Sequence, residues 1–164
     1  NASRGLGDVY KRQILHTDTG ADGELPNLLC QPAGGSAIPA STNSVQNRLH
    51  FLQMNGKEIF KKAVRVMGQS CQKSLEACQL CSESIDLVIP HQANMRIIES
   101  LAKRLDIPME KFHNNLDLYG NTSAASIGIA LDEAIAAGRI NKGDHILLVA
   151  FGAGLTWGSQ VIRW

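Results

Sequence analysis

Ile146-Leu147-Leu148-Val149-Ala150-Phe151 is an unbroken apolar run, set between the turn Asn141-Lys142-Gly143-Asp144 and a glycine-rich loop at 152–158. A strand with one wet face alternates apolar and polar residues, so a run with no polar member predicts a strand covered on both faces. The cover is predicted to be helical. Between Asn55 and Cys81, apolar residues recur at Phe60, Ala63, Val64, Met67, Cys71, Leu75 and Cys78, the three-and-four spacing of one helix face. A second helix is expected over 94–105, with Ile97, Ile98, Leu101 and Leu105 inward, and a third from near Thr122 to Ala137, where Gly138 is a natural stop. Further strands are expected at 14–17, at 85–90, around Leu116 and Leu118, and at the end of the chain. This interleaving defines a layered α/β fold with a mixed sheet.

The 164 residues are 44% hydrophobic and 19% charged, enough to enclose the core of one domain. Sixteen basic and 15 acidic residues leave a formal charge of +1 with no long run of either sign, which argues against nucleic acid or a membrane surface as the main partner. No apolar run approaches the ~20 residues needed to cross a bilayer, and no segment reads as a signal peptide. A soluble, cytoplasmic protein is expected. In that setting Cys30, Cys71, Cys78 and Cys81 read as free thiols. Cys78 and Cys81 form a C-x-x-C, but no second pair or H-x-x-x-H completes four ligands, so no metal site is expected.

Residues 1–13 are mostly polar, without helical or strand periodicity, and read as a foreign or disordered leader; the run from Asp8 to Gln13 resembles translated adapter sequence. Glycine, proline, asparagine and serine then dominate as far as Asn47, a long loop. The division expected is therefore a leader at 1–13, a connecting stretch at 14–53 and a domain at 54–164.

Three loops each follow an expected strand, where α/β sheets tend to place functional groups. They are His91-Gln92-Ala93-Asn94, Gly120-Asn121-Thr122-Ser123-Ala124-Ala125-Ser126 and Phe151-Gly152-Ala153-Gly154-Leu155-Thr156-Trp157-Gly158. Taken singly, each has a plain structural reading: a core histidine, an asparagine capping a helix, glycines in a turn.

Together, in this order, the phrases P-H-Q-A-N, G-N-T-S-A-A-S and F-G-x-G-x-T-W-G resemble the thiolase-like condensing enzymes. The closest likeness is to β-ketoacyl-acyl-carrier-protein synthase III, and it runs from about Ile14 to Trp164. That resemblance implies the C-terminal half of a thiolase-like fold. It also implies an acyltransferase that takes an acyl group from an acyl-CoA onto a cysteine, decarboxylates malonyl-acyl-carrier protein and joins the two carbon chains to start fatty acid synthesis. No metal or other cofactor is implied. His91 and Asn121 match the family's catalytic pair, whose N–H donors stabilise the enolate formed on decarboxylation. Asn94 matches a residue lining the pantetheine channel. Phe151 matches one shaping the acyl pocket, and Ala153 the loop position whose backbone N–H serves the oxyanion hole. Arg96 matches a basic residue that docks the acidic carrier protein, and Lys103 and Arg104 would extend the same face, unless they form only a solvated basic helix surface.

The resemblance further implies a nucleophilic cysteine in an N-terminal half that this sequence does not contain. None of its four cysteines has the required strand-to-helix context, so the chain alone is expected to be inactive. The parent is expected to be a homodimer whose partners are acyl-carrier protein and a coenzyme A thioester. Two other readings stay open: a non-catalytic domain that binds acyl-carrier protein or pantetheine, and half of a related polyketide-type condensing enzyme.

Overall fold

A computed structural model describes residues 12–164. Its frame is a four-stranded mixed sheet with the order β1-β6-β5-β4, built from β1 (Gln13–Ala21), β4 (Leu87–Pro90), β5 (His145–Gly152) and β6 (Thr156–Arg163). A two-residue pair, β2 (Leu29–Cys30) and β3 (Gln53–Met54), lies apart from it. The helices are α1 (Thr42–Gln46), α2 (Gly56–Ala77), α3 (Met95–Leu105), α4 (Leu116–Tyr119) and α5 (Ala125–Ala136).

β4 and β5 run parallel, with Leu87 opposite Ile146 and Pro90 opposite Val149, while β6 is antiparallel to both β5 and β1. The period of two along these strands sorts the core into two layers. Val88, Leu147, Val149 and Val161 face Ala63, Met67, Cys71 and Leu75 of α2 and Ile98, Leu101 and Leu105 of α3. Leu87, Ile89 and Ile146 face Ala130 and Ala134 of α5. Every residue of β4 is buried, as the expected layered α/β fold with a mixed sheet requires.

The long helix is shorter than its apolar spacing suggests, ending at Ala77 with Gln79 in the left-handed region (φ 55). Its buried face includes Ser70 and Ser74, which apolar counting overlooks. Ser70 donates to Asp18 Oδ2 at 2.6 Å, both serines meet the Ser159 hydroxyl at 2.9 and 2.8 Å, and His16 Nδ1 reaches Ser74 at 3.2 Å. This buried polar seam pins α2 to β1 and β6. It also explains why β1 extends to Ala21 through Asp18 and Gly20, well past the expected residue 17: pairing with β6 sustains what local composition would end.

Three further expectations are corrected. Leu116 and Leu118 lie in α4 rather than a strand, with Leu118 70% exposed and the N–H groups of Leu118 and Tyr119 bonded to Asn115 O; two alternating leucines cannot separate a strand from a single helical turn. The stretch to Asn47 is not wholly irregular, since Ser41 and Ser44 form a reciprocal capping box that starts α1. The expected leader overlaps the fold at its end: Gln13 opens β1, and the Arg12 guanidinium stacks over the Trp164 ring at 3.9 Å. The rest of that leader lies outside the described residues.

Candidate active site

β4 ends at Pro90, and the His91 loop begins at the C-terminal edge of the parallel pair. His91 N–H donates to Val149 O of β5 at 2.8 Å, fixing the backbone at the turn. Gln92, 1% exposed, anchors the loop from beneath: its carboxamide donates to Pro90 O (2.8 Å) and His113 O (3.3 Å), and its oxygen accepts from Asn115 N–H (3.2 Å). The segment leading to Asn121 is thereby tied to the segment carrying His91. Asn94 then caps α3, its Oδ1 accepting from Arg96 N–H at 2.9 Å.

Asn121 arrives on the connection between α4 and α5. Its Oδ1 accepts from Ser123 N–H at 2.9 Å, and the carboxamide NH2 has no hydrogen-bond partner among the described residues. Ser123 adopts φ 52, a left-handed conformation that costs a non-glycine residue about 1–2 kcal/mol. This turn delays α5 to Ala125, three residues later than expected, and makes Asn121 the head of a side-chain turn rather than the helix cap.

His91 and Asn121 line one cavity of about 690 Å3, together with Asn94, Arg96 and Phe151. Lys57, Phe60 and Lys61 of α2 line it from the opposite side; Phe60, expected in the core, is half-buried there, with the Arg96 guanidinium 5.7 Å from its ring. Burial holds the His91 imidazole below its ordinary pKa, so near neutral pH the ring carries one N–H. Two neutral donors on separate loops thus border an apolar-walled, half-enclosed space.

The other expected residues lie elsewhere. Ala153 is exposed in the turn between β5 and β6, outside the cavity lining, and its carbonyl accepts from the Thr156 hydroxyl at 3.0 Å. Lys103 borders a separate shallow depression with Glu99 and Asp106. The aliphatic stem of Arg104 crosses α2 at Gly68, where a side chain would collide with it, so this residue takes part in helix packing as well as presenting charge. Among the described residues no cluster of His, Cys, Asp or Glu is placed to hold a metal ion, and Cys30, Cys71, Cys78 and Cys81 are unpaired.

Sequence reasoning did not single out Gln92, Lys57, Lys61 or Ser126. Gln92 sits inside the P-H-Q-A-N phrase, where a buried glutamine between two functional residues is the available signal. The two lysines look like any solvated helix face until α3 is packed beside them.

The sheet, its two helical layers and the loops at the strand ends form a thiolase-like α/β fold, in the form of that fold's C-terminal half. Residues 75–164 match the family described as 3-oxoacyl-[acyl-carrier-protein (ACP)] synthase III C terminal, and the chain belongs to that family. It is 56% identical over 151 residues to the beta-ketoacyl-[acyl-carrier-protein] synthase III of Caldanaerobacter subterraneus subsp. tengcongensis, covering 92% of this chain and 46% of the relative. The crystal structure of 3-oxoacyl-[acyl-carrier-protein] synthase III from Aquifex aeolicus superposes with a TM-score of 0.80 at 45% identity, over 94% of this chain and 45% of that one. The priming β-ketosynthase of the R1128 polyketide biosynthetic pathway superposes with a TM-score of 0.76 at 30% identity, over 92% of this chain and 44% of that one. The chain spans about half the length of the curated relatives it matches.

Proposed function

We propose that this chain supplies the decarboxylating half of a β-ketoacyl-acyl-carrier-protein synthase III active site, with His91 and Asn121 as its two catalytic donors. The supporting observation is that both residues line one cavity, each with its other polar atom already engaged. When a malonyl thioester loses carbon dioxide, the electron pair left on carbon delocalises onto the thioester oxygen. Donors fixed toward that oxygen stabilise the enolate more than the ground state, which lowers the barrier. The carbanion then attacks the carbonyl of an acyl thioester, expelling the cysteine thiolate and forming the new carbon–carbon bond.

In this reading Asn94 and Phe151 bound the pantetheine and acyl parts of the cavity, Ala153 N–H serves acyl transfer, and Arg96 with Lys103 and Arg104 receives the acidic carrier protein. No metal or other cofactor takes part. None of the four cysteines lines the cavity, so the thiol that holds the acyl group belongs to the N-terminal half of the parent enzyme, a cytoplasmic homodimer acting on acyl-CoA and malonyl-acyl-carrier protein.

The test joins this chain to the N-terminal half of the Caldanaerobacter relative and follows condensation of acetyl-CoA with malonyl-acyl-carrier protein. Product is expected only when both halves are present; turnover by this chain alone, or none by the pair, overturns the proposal. The likeness to the polyketide priming enzyme favours a second reading, in which the same chemistry acts on another primer. Varying the acyl-CoA in the same assay separates the two.

A further inference from the structure

We propose that Ser126 is a positioning residue that sets the tautomer of His91, placing the ring's single proton on Nε2, toward the cavity; the inference rests on the catalytic reading of His91. Ser126 is the second residue of α5, 2% exposed, with its hydroxyl oxygen 2.6 Å from His91 Nδ1. The same oxygen accepts Gln92 N–H at 3.3 Å. A serine hydroxyl carries one proton and two lone pairs, and Gln92 occupies one lone pair. If His91 Nδ1 were protonated it would donate into the second, and the serine proton would be buried with no acceptor among the described residues, at the cost of an unmade hydrogen bond. If Ser126 donates to an unprotonated Nδ1, every group in the cluster is satisfied. The remaining proton must then sit on Nε2.

Nε2 has no partner among the described protein groups and is not sealed in, because among those residues the one side-chain nitrogen or oxygen both buried and unpartnered is His113 Nε2, on a different segment. His91 therefore presents an N–H to the space it shares with Asn121, as donation to a developing enolate oxygen requires. The charged groups lining the same space, Lys57 and Lys61 from α2 and Arg96 from α3, are all cations. Gln92 acts in two ways: its side chain secures the loop, and its backbone N–H orients the serine that orients the histidine.

The test is ring-nitrogen NMR of the chain with 15N-labelled histidine, the His91 signals being assigned by their loss in His91→Gln. The neutral wild-type ring is expected to show a protonated Nε2 and a bare Nδ1. In Ser126→Ala, Nδ1–H should appear in the neutral form or the titration midpoint should rise by about 0.5–1 pH unit, the worth of one hydrogen bond to the neutral ring; Ser126→Thr should restore both. The signals of His16, His50, His113 and His145 report whether the variants keep the fold, a readout a merely structural serine would move together with His91. A protonated Nδ1 in the wild type overturns the proposal whatever the variants do, as does a Ser126→Ala ring unchanged in tautomer and midpoint. Failure of the catalytic reading would look different: the Nε2–H tautomer would stand, yet a completed enzyme would decarboxylate equally well without His91.

Discussion

Replacing Gln92 should destabilise the chain more than any surface change near the cavity, because three buried backbone groups depend on it. In Gln92→Ala, Pro90 O, His113 O and Asn115 N–H lose partners at 2.8, 3.3 and 3.2 Å, respectively, in a position only 1% exposed. A net hydrogen bond is worth about 0.5–1.5 kcal/mol, and a buried group left without a partner costs about 1–3 kcal/mol. Weighting the two longer bonds at the low end and letting Pro90 O carry a full penalty gives about 3 kcal/mol, a large share of a typical domain's 5–15 kcal/mol. With a urea slope of about 2 kcal/mol/M, the unfolding midpoint should fall by about 1.5 M. Gln92→Met keeps most of the volume and loses the polar atoms, so it should fall nearly as far. A methionine variant with the wild-type midpoint would show that Gln92 fills space and does not join the segments carrying His91 and Asn121.

Two other outcomes follow from the same geometry. His91 and His113 are both held below the ordinary imidazole value of 6.5, chiefly by burial, so the unfolded chain takes up protons before the folded one as pH falls. Stability is then greatest above 6.5 and declines below it; the urea midpoint should drop between about pH 7.5 and pH 5.5, His113→Phe should shrink that drop, and a flat profile would refute the assignment. Val45, Phe51, Leu52 and Met54 are 60–71% exposed along one stretch of chain, so sedimentation should show concentration-dependent association, and a monodisperse monomer at high concentration would contradict it.

The layered sheet was legible because burial on both faces leaves a mark in composition: the run ending at Phe151 and the β-branched segment ending at Pro90 have almost no polar residues to misread. The loops carrying His91 and Asn121 were legible as phrases that resemble a known family, although the expected strand before Gly120 is a helical turn and the Asn121 loop joins two helices. What escaped was decided by distant partners. Ser70, Ser74 and Ser159 look like surface residues until α2 crosses the sheet, and Asp18 sits in a strand that β6 pairs, its carboxylate met by Ser70. Ser126 reads as part of a helix start, and its contact with His91 exists only once α5 packs beneath β4. Arg104 reads as free charge, and a glycine on another helix turns its stem into packing.

The central claim is that one imidazole and one carboxamide act on the same oxygen. Its most direct test is malonyl thioester decarboxylation by the completed enzyme carrying His91→Ala or Asn121→Ala, measured alongside acyl transfer from acyl-CoA. Each substitution should slow decarboxylation by about 10²- to 10³-fold while acyl transfer continues. Decarboxylation at the parental rate in either variant would contradict the account.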